Sequence, residues 1–200
     1  MPECQTNFVR CDDYQGGYIA GKHLLELGHR HFLYLPGPKY NLSQTRRHAG
    51  IMDALSEANV PASNIREIDY HTVFGSTAES TSSYKPYEEL FFPVNYTAVI
   101  GFNDLQSYSA MEILQKKGYR IPEDISLISF DHLRKTHTYL PPLTSIADNS
   151  EKSIADTAVS ILLDKIRNPS SEISSKVLPV SIFDGHTTGP INETFAHSFE

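Results

Sequence analysis

The 200-residue chain is short of cysteine, of long apolar runs and of positive charge. Its two cysteines, Cys4 and Cys11, do not form a CxxC pair, and a reduced setting is their simpler reading, with a disulfide between them the lesser alternative. No uninterrupted apolar stretch approaches the roughly 20 residues of a membrane span. The opening MPECQTNFVRCDD is polar and has no apolar signal core, which points to the cytoplasm rather than export. Lys+Arg number 17 against 24 Asp+Glu, a net charge of −7, so the chain is poorly suited to grip DNA phosphates by itself. Catalytic and cofactor signatures are also missing. There is no GxGxxG, no HExxH and no GxSxG, and Ser, His and Asp are too frequent for their presence alone to count. No metal, no cofactor and no enzymatic activity is expected.

What is present is ordinary globular composition, 40% hydrophobic and 20% charged, enough for one domain or two small lobes sharing a core. Strand and helix signals alternate. Asn7–Cys11 is extended, and Asp12 or Asp13 caps a helix over Tyr14–Leu27 that stops at Gly28. His31–Leu35 reads as a strand broken by Pro36-Gly37-Pro38. Ser43 caps a helix reaching Glu57, and Asn64–Tyr70 reads as a strand. Ser76–Phe92 is expected to be helical, ended early or kinked by Pro86. Ser150–Ile166 is an amphipathic helix with Ile154, Ala158, Ile161 and Leu162 on one side. Lys176–Phe183 is the last strand, and Gly189–Glu200 is a tail without a period. Alternation of this kind predicts an α/β fold, a Rossmann-like parallel sheet flanked by helices.

The most informative stretch is Thr97–Ile146. Two apolar runs, Ala98–Phe102 and Ile125–Phe130, each end in polar residues, Asn103-Asp104 and Asp131. A helix over about Leu105–Lys117 lies between them and stops at Gly118. Strand, crossover helix and strand make a βαβ unit, and ligands of open α/β sheets bind beyond the carboxyl ends of such strands. Asn103 and Asp131 stand at those ends.

The series Asn103-Asp104, Gly118, Ile121-Pro122-Glu123-Asp124-Ile125-Ser126, Phe130-Asp131 and Pro142-Leu143-Thr144-Ser145-Ile146 resembles the effector-binding domain of the LacI/GalR family of bacterial transcription regulators. So do Asp12, Gly16-Gly17, His23-Leu24, Leu27-Gly28-His29-Arg30, Pro36-Gly37 and Arg47 with Ala49-Gly50. The likeness covers about 180 residues and departs from the family near Gly185, where a basic residue is usual. It implies a periplasmic-binding-protein-like type I fold, mainly the carboxyl-terminal lobe. Residues 13–146 and 176–190 would form that lobe, 1–12 and 147–175 would be remnants of the amino-terminal lobe and the crossings, and 191–200 a tail. The family's helix-turn-helix headpiece and most of its amino-terminal lobe are not in the chain, which is expected to be a fragment.

By the same resemblance Arg47, Tyr70, Asn103 and Asp131 match effector-contacting positions, with Asp148 and Ser150 further ones at a lobe crossing. The chemistry agrees: a carboxylate accepts from two sugar hydroxyls, a guanidinium donates a fork of hydrogen bonds, and an aromatic ring covers an apolar face. The plainer alternatives are an Asp that caps a loop and an Arg paired on its own helix. The implied partners are a small-molecule effector, a sugar above all, operator DNA through the absent headpiece, and a second copy in a homodimer near Tyr108, Met111 and Glu112. No membrane partner is implied. The alternative function is a solute-binding protein of a sugar transporter, and an enzyme on the same layers is a third. Gly16–His23 nearly spells a phosphate-binding loop, but His23 stands where a hydroxyl belongs, and the stretch reads better as helix interior. His29 and His31 straddle a helix stop, and core-satisfied or solvated histidines are the expectation.

Overall fold

The computed structural model describes residues 6–68, 87–133 and 141–197. Six strands form the main sheet: β2 (Phe32–Leu35), β3 (Ile65–Glu67), β4 (Ala98–Gly101), β5 (Ser126–Phe130), β6 (Thr144–Asp148) and β8 (Val180–Phe183), in the order β3-β2-β4-β5-β6-β8. Neighbours are parallel except β8, which runs antiparallel to β6 at the edge, so the sheet is mixed rather than wholly parallel. A second, two-stranded parallel sheet pairs β1 (Phe8–Cys11) with β7 (Ser175–Leu178).

Strands β2, β4 and β5 are buried along their whole length. That is why they read as continuous apolar runs rather than alternating ones. Their side chains nevertheless divide between two layers. Phe32, Tyr34, Ile100, Ile128 and Phe130 pack on Leu24, Ile51 and Leu55 of α1 (Asp13–Glu26) and α2 (Leu42–Glu57). Leu33, Leu35, Val99 and Leu127 pack on Ala110, Ile113 and Leu114 of α3 (Asp104–Lys116). Each fully buried Leu, Ile or Phe contributes about 1.5–3 kcal/mol, so a strand covered on both faces needs apolar residues throughout.

His29 lies at the amino ends of the central strands. It is 2% exposed, and its Nδ1 meets Thr97 Oγ1 at 2.9 Å while Nε2 meets Ser126 Oγ at 2.9 Å and the Gly189 carbonyl at 3.1 Å. Burial pushes its pKa down to about 4. It is a core-satisfied histidine, and no group of three metal-ligating side chains occurs among the described residues.

Several expectations shift. Asn41, not Ser43, caps α2, its Oδ1 accepting from the Ser43 and Gln44 amides. Asp12 rather than Asp13 caps α1. The single last strand is two, separated by Pro179, which has no amide to donate to a ladder. Of the helix expected over Ser76–Phe92, residues 76–86 lie outside the described residues, and Tyr87–Phe91 is a 3-10 turn. The helix expected over Ser150–Ile166 is α4 (Ile154–Arg167), capped by Ser153. No residue of it is buried, although its apolar stripe is real: Leu162 is 58% and Ile166 65% exposed. The tail carries a short helix, α5 (Glu193–Ala196), whose Phe195 ring meets Tyr119 edge-on at 5.9 Å. No described helix is long and apolar enough to cross a membrane.

Candidate functional site

The glycines of the near-phosphate-loop stretch sit inside α1, where they let α2 approach. A Cβ at Gly17 would lie 2.0 Å from the Arg47 carbonyl oxygen, and one at Gly50 would lie 2.0 Å from that of Tyr14. Helix meets helix with no side chain between them at these two points. Tyr14 and Tyr18 then bridge the seam outside, donating to Asp53 at 2.7 Å and Glu57 at 2.6 Å.

This close crossing sets Arg47 over the carboxyl ends of β4 and β5. Its Nε donates to Asp13 Oδ1 at 2.9 Å, Nη1 to the Phe102 carbonyl at 2.7 Å and Nη2 to Asp131 Oδ1 at 2.9 Å. The guanidinium also lies over the rings of Phe130, at 4.6 Å, and Phe102, at 5.1 Å. Arg47 and Asp13 are nearly buried, whereas Asp131 keeps 39% of its side-chain surface at the mouth. Even so, the apolar walls withdraw enough water to push the Asp131 carboxyl above its ordinary pKa, with Arg47 opposing.

In front of these groups opens a cavity of about 620 Å³ whose walls include Asp12, Asp13, Arg47, Asp131, His132 and Asp148. Cys11 also lines it as a free thiol, and burial followed by the Asp148 charge pushes its pKa up, away from a reactive thiolate. A guanidinium with two N–H groups beyond those used here, beside a half-open carboxylate, suits a ligand with adjacent hydroxyl groups. A smaller cavity of about 440 Å³ lies across α2. Several of its polar groups are already engaged with one another: Gln44 Oε1 accepts from the Tyr34 hydroxyl and the Gly37 amide, and His48 pairs with Glu67 at 2.8 Å.

The structure thus brings Arg47 and Asp131 into contact and places Asp148 in the same cavity. Asp148 Oδ1 accepts from the Ser150 amide at 2.8 Å, and the Ser150 hydroxyl is buried without a hydrogen bond. Asn103 caps α3, its Oδ1 accepting from the Gln106 amide at 3.0 Å, and is not among the cavity-lining residues. Tyr70 lies outside the described residues. Sequence reasoning passed over Asp13 as an ion-pair partner, since 34 residues separate it from Arg47 and no local pattern joins them. It likewise missed Asp104 and Ser145, which bond each other at 2.9 Å behind the Asp131 loop.

Against known proteins, the periplasmic binding protein-like domain matches residues 22–188. The chain is 34% identical over 173 residues to the HTH-type transcriptional repressor PurR of Escherichia coli O139:H28, covering 85% of this chain and 48% of that protein. It is 32% identical over 162 residues to PurR of Mannheimia succiniciproducens, covering 80% and 46%. The chain therefore spans about half the length of the curated relatives it matches. A LacI family transcriptional regulator from Enterococcus faecium, solved with bound ribose, superposes with a TM-score of 0.80 at 27% identity, covering 96% of this chain and 69% of that one.

Proposed function

Because this chain belongs to the periplasmic binding protein-like domain family, as an effector-binding domain of LacI/GalR type, we propose that it senses a sugar at the Arg47–Asp131 rim for a transcription regulator. The observation that carries this reading is the arginine itself: nearly buried, fixed by Asp13 and the Phe102 carbonyl, and joined to a half-exposed carboxylate over a cavity. Ligand hydroxyls donate to Asp131, and the two remaining guanidinium N–H groups donate to ligand oxygens. Asp148 receives a hydroxyl from the far side, and the family resemblance adds Tyr70 and Asn103, whose side-chain amide nitrogen is not used in capping α3.

In this reading residues 13–146 and the segment from β8 to 190 form one lobe; residues 176–178, expected in it, go with the other because β7 pairs with β1. The β1–β7 sheet and α4 belong with the other, and ligand binding between lobes biases their relative angle. The ligand acts only through its different affinity for the two arrangements. In the whole protein that angle governs operator binding in a cytoplasmic homodimer, without catalysis. The PurR relatives, named as repressors, disfavour the transporter alternative.

The test is thermal melting of the chain against pentoses, hexoses, disaccharides and nucleobases, for wild type and Asp131→Asn. Asparagine tolerates the backbone φ of +91° at this position while removing the charge. A sugar that raises the melting temperature of the wild type by several degrees and of the variant by none supports the proposal. An equal rise in both moves the site elsewhere.

A further inference from the structure

Behind Asp131 the chain takes an unusual path. Asp131 has φ +91° and His132 φ +48°, two successive residues in the left-handed region that side chains disfavour. Such conformations persist only where neighbouring groups over-determine them, and they gather at ligand clamps. Here three consecutive amides are each held by a different acceptor. The Asp131 amide donates to the Ile146 carbonyl at 3.0 Å, that of His132 to the Ser145 hydroxyl at 3.0 Å, and that of Leu133 to Asp104 Oδ2 at 2.6 Å. The Ser145 hydroxyl itself donates to Asp104 Oδ1 at 2.9 Å, so both carboxylate oxygens of Asp104 serve the same turn. Asp104 is 3% exposed and Ser145 fully buried. Asp104 opens α3 behind its Asn103 cap, a place where the helix dipole and free amides favour a carboxylate. The His132 ring closes the turn by stacking on Phe183 at 4.4 Å.

We propose that Asp104 and Ser145 form a latch that positions Asp131: they touch no ligand, but by holding the His132 and Leu133 amides they force the left-handed turn that aims the Asp131 carboxylate at Arg47. The latch rests on the effector reading only for its purpose; its geometry is testable without any ligand. Ser145 makes one donation to Asp104 and takes one from His132, so losing its hydroxyl frees the His132 amide and strips one donor from Asp104. Losing the Asp104 charge weakens the bond to the Leu133 amide and the one to Ser145 together. In either case the turn relaxes toward ordinary φ values and Asp131 swings off Arg47.

The experiment uses Ser145→Ala, the milder Ser145→Thr, and Asp104→Asn. Amide hydrogen exchange is read at His132 and Leu133, with Ile128 in the neighbouring strand as the internal reference. The Asp131 carboxyl is titrated by carbon NMR, and ribose is used as the melting probe. The latch predicts at least tenfold faster exchange at His132 in Ser145→Ala and at both amides in Asp104→Asn. Ile128 should be unchanged, the Asp131 titration displaced in both variants, and wild-type behaviour restored in Ser145→Thr. Adding His132→Gly, which accepts a positive φ freely, should shrink the effect of Ser145→Ala on the Asp131 titration. Unchanged exchange and titration in both variants overturn the latch. If Ser145→Ala and Asp104→Asn speed exchange equally at Ile128, the pair is general packing, and the latch is again overturned. Changed exchange and titration with no ribose response in the wild type support the latch while counting against ribose as the effector.

Discussion

Acidification should destabilise this domain through one buried imidazole. His29 is neutral in the fold, its pKa held at about 4 by burial against an unfolded value near 6.5. Above pH 6.5 neither state binds the proton, and the fold keeps its full stability. As pH falls from 6.5 toward 4, the unfolded chain takes up a proton that the folded chain refuses, so stability drops. The slope reaches at most ~1.4 kcal/mol per pH unit, and the loss totals about 3 kcal/mol once both pKa values are passed. Against a whole-domain stability of about 5–15 kcal/mol that is a large share. The assay is urea unfolding at closely spaced pH values from 7.5 to 4, for wild type and His29→Gln. The glutamine variant starts less stable because it cannot reproduce the bonds to Thr97, Ser126 and Gly189. Its pH slope should nonetheless be shallower by up to one proton. The comparison matters because His23 is half-buried with its pKa also lowered, mainly by burial, and contributes in the same direction in both proteins. Parallel wild-type and variant profiles from pH 6.5 to 4 would refute the reasoning and place the acid sensitivity elsewhere.

Three further outcomes follow from the packing. Arg47→Met leaves Asp13 buried without its partner and should destabilise by about 3–5 kcal/mol, with part recovered in the double variant Arg47→Met/Asp13→Asn; urea midpoints read both, and additive losses would deny the coupling. Gly50→Ala drives a methyl group onto the Tyr14 carbonyl, where backbone must give way, and should cost upward of about 1–3 kcal/mol in the same assay. Leu162→Gln on the exposed stripe of α4 should leave the midpoint within about 0.5 kcal/mol of wild type, and a larger loss would mean the helix is better buried in solution.

How legible this was in the sequence varied with the range of the interaction. The βαβ unit at β4, α3 and β5 was readable because burial on two faces writes itself as uninterrupted apolar residues bounded by Asn103-Asp104 and Asp131. The interior of α1 was readable against the phosphate-loop lookalike because Ile19, Leu24 and Leu27 keep a helical period. Residues 176–183 carry a single β-like pattern and read in the sequence as one strand. Only the tertiary structure shows Pro179 handing the chain from β7, beside β1, to β8, beside β6. For the site, Asp131 was legible from its place at the carboxyl end of a buried strand and again from the family resemblance, whereas Arg47 came from the resemblance alone. The roles of Asp13, Asp104 and Ser145 as holding groups were not legible, because the partners that define them lie 13 to 41 residues away along the chain. The strand-end position of Asn103 is legible in the sequence, but its second task is not: its Oδ1 also answers the demand of an otherwise uncapped helix.

The bare helix crossing has a mechanical consequence. Arg47 is gripped twice by α1, its carbonyl against Gly17 and its guanidinium on Asp13. A tug on its side chain cannot be absorbed by one helix gliding over the other, because no pliable side chains cushion the contact. The load passes into α1 as a whole. That helix begins one residue after β1, and the amide of its Asp12 cap is tied to the Leu178 carbonyl of β7 at 2.8 Å. Force applied where a ligand would sit therefore arrives at the root of the two-stranded sheet, with α1 acting as a crankshaft between the two sheets.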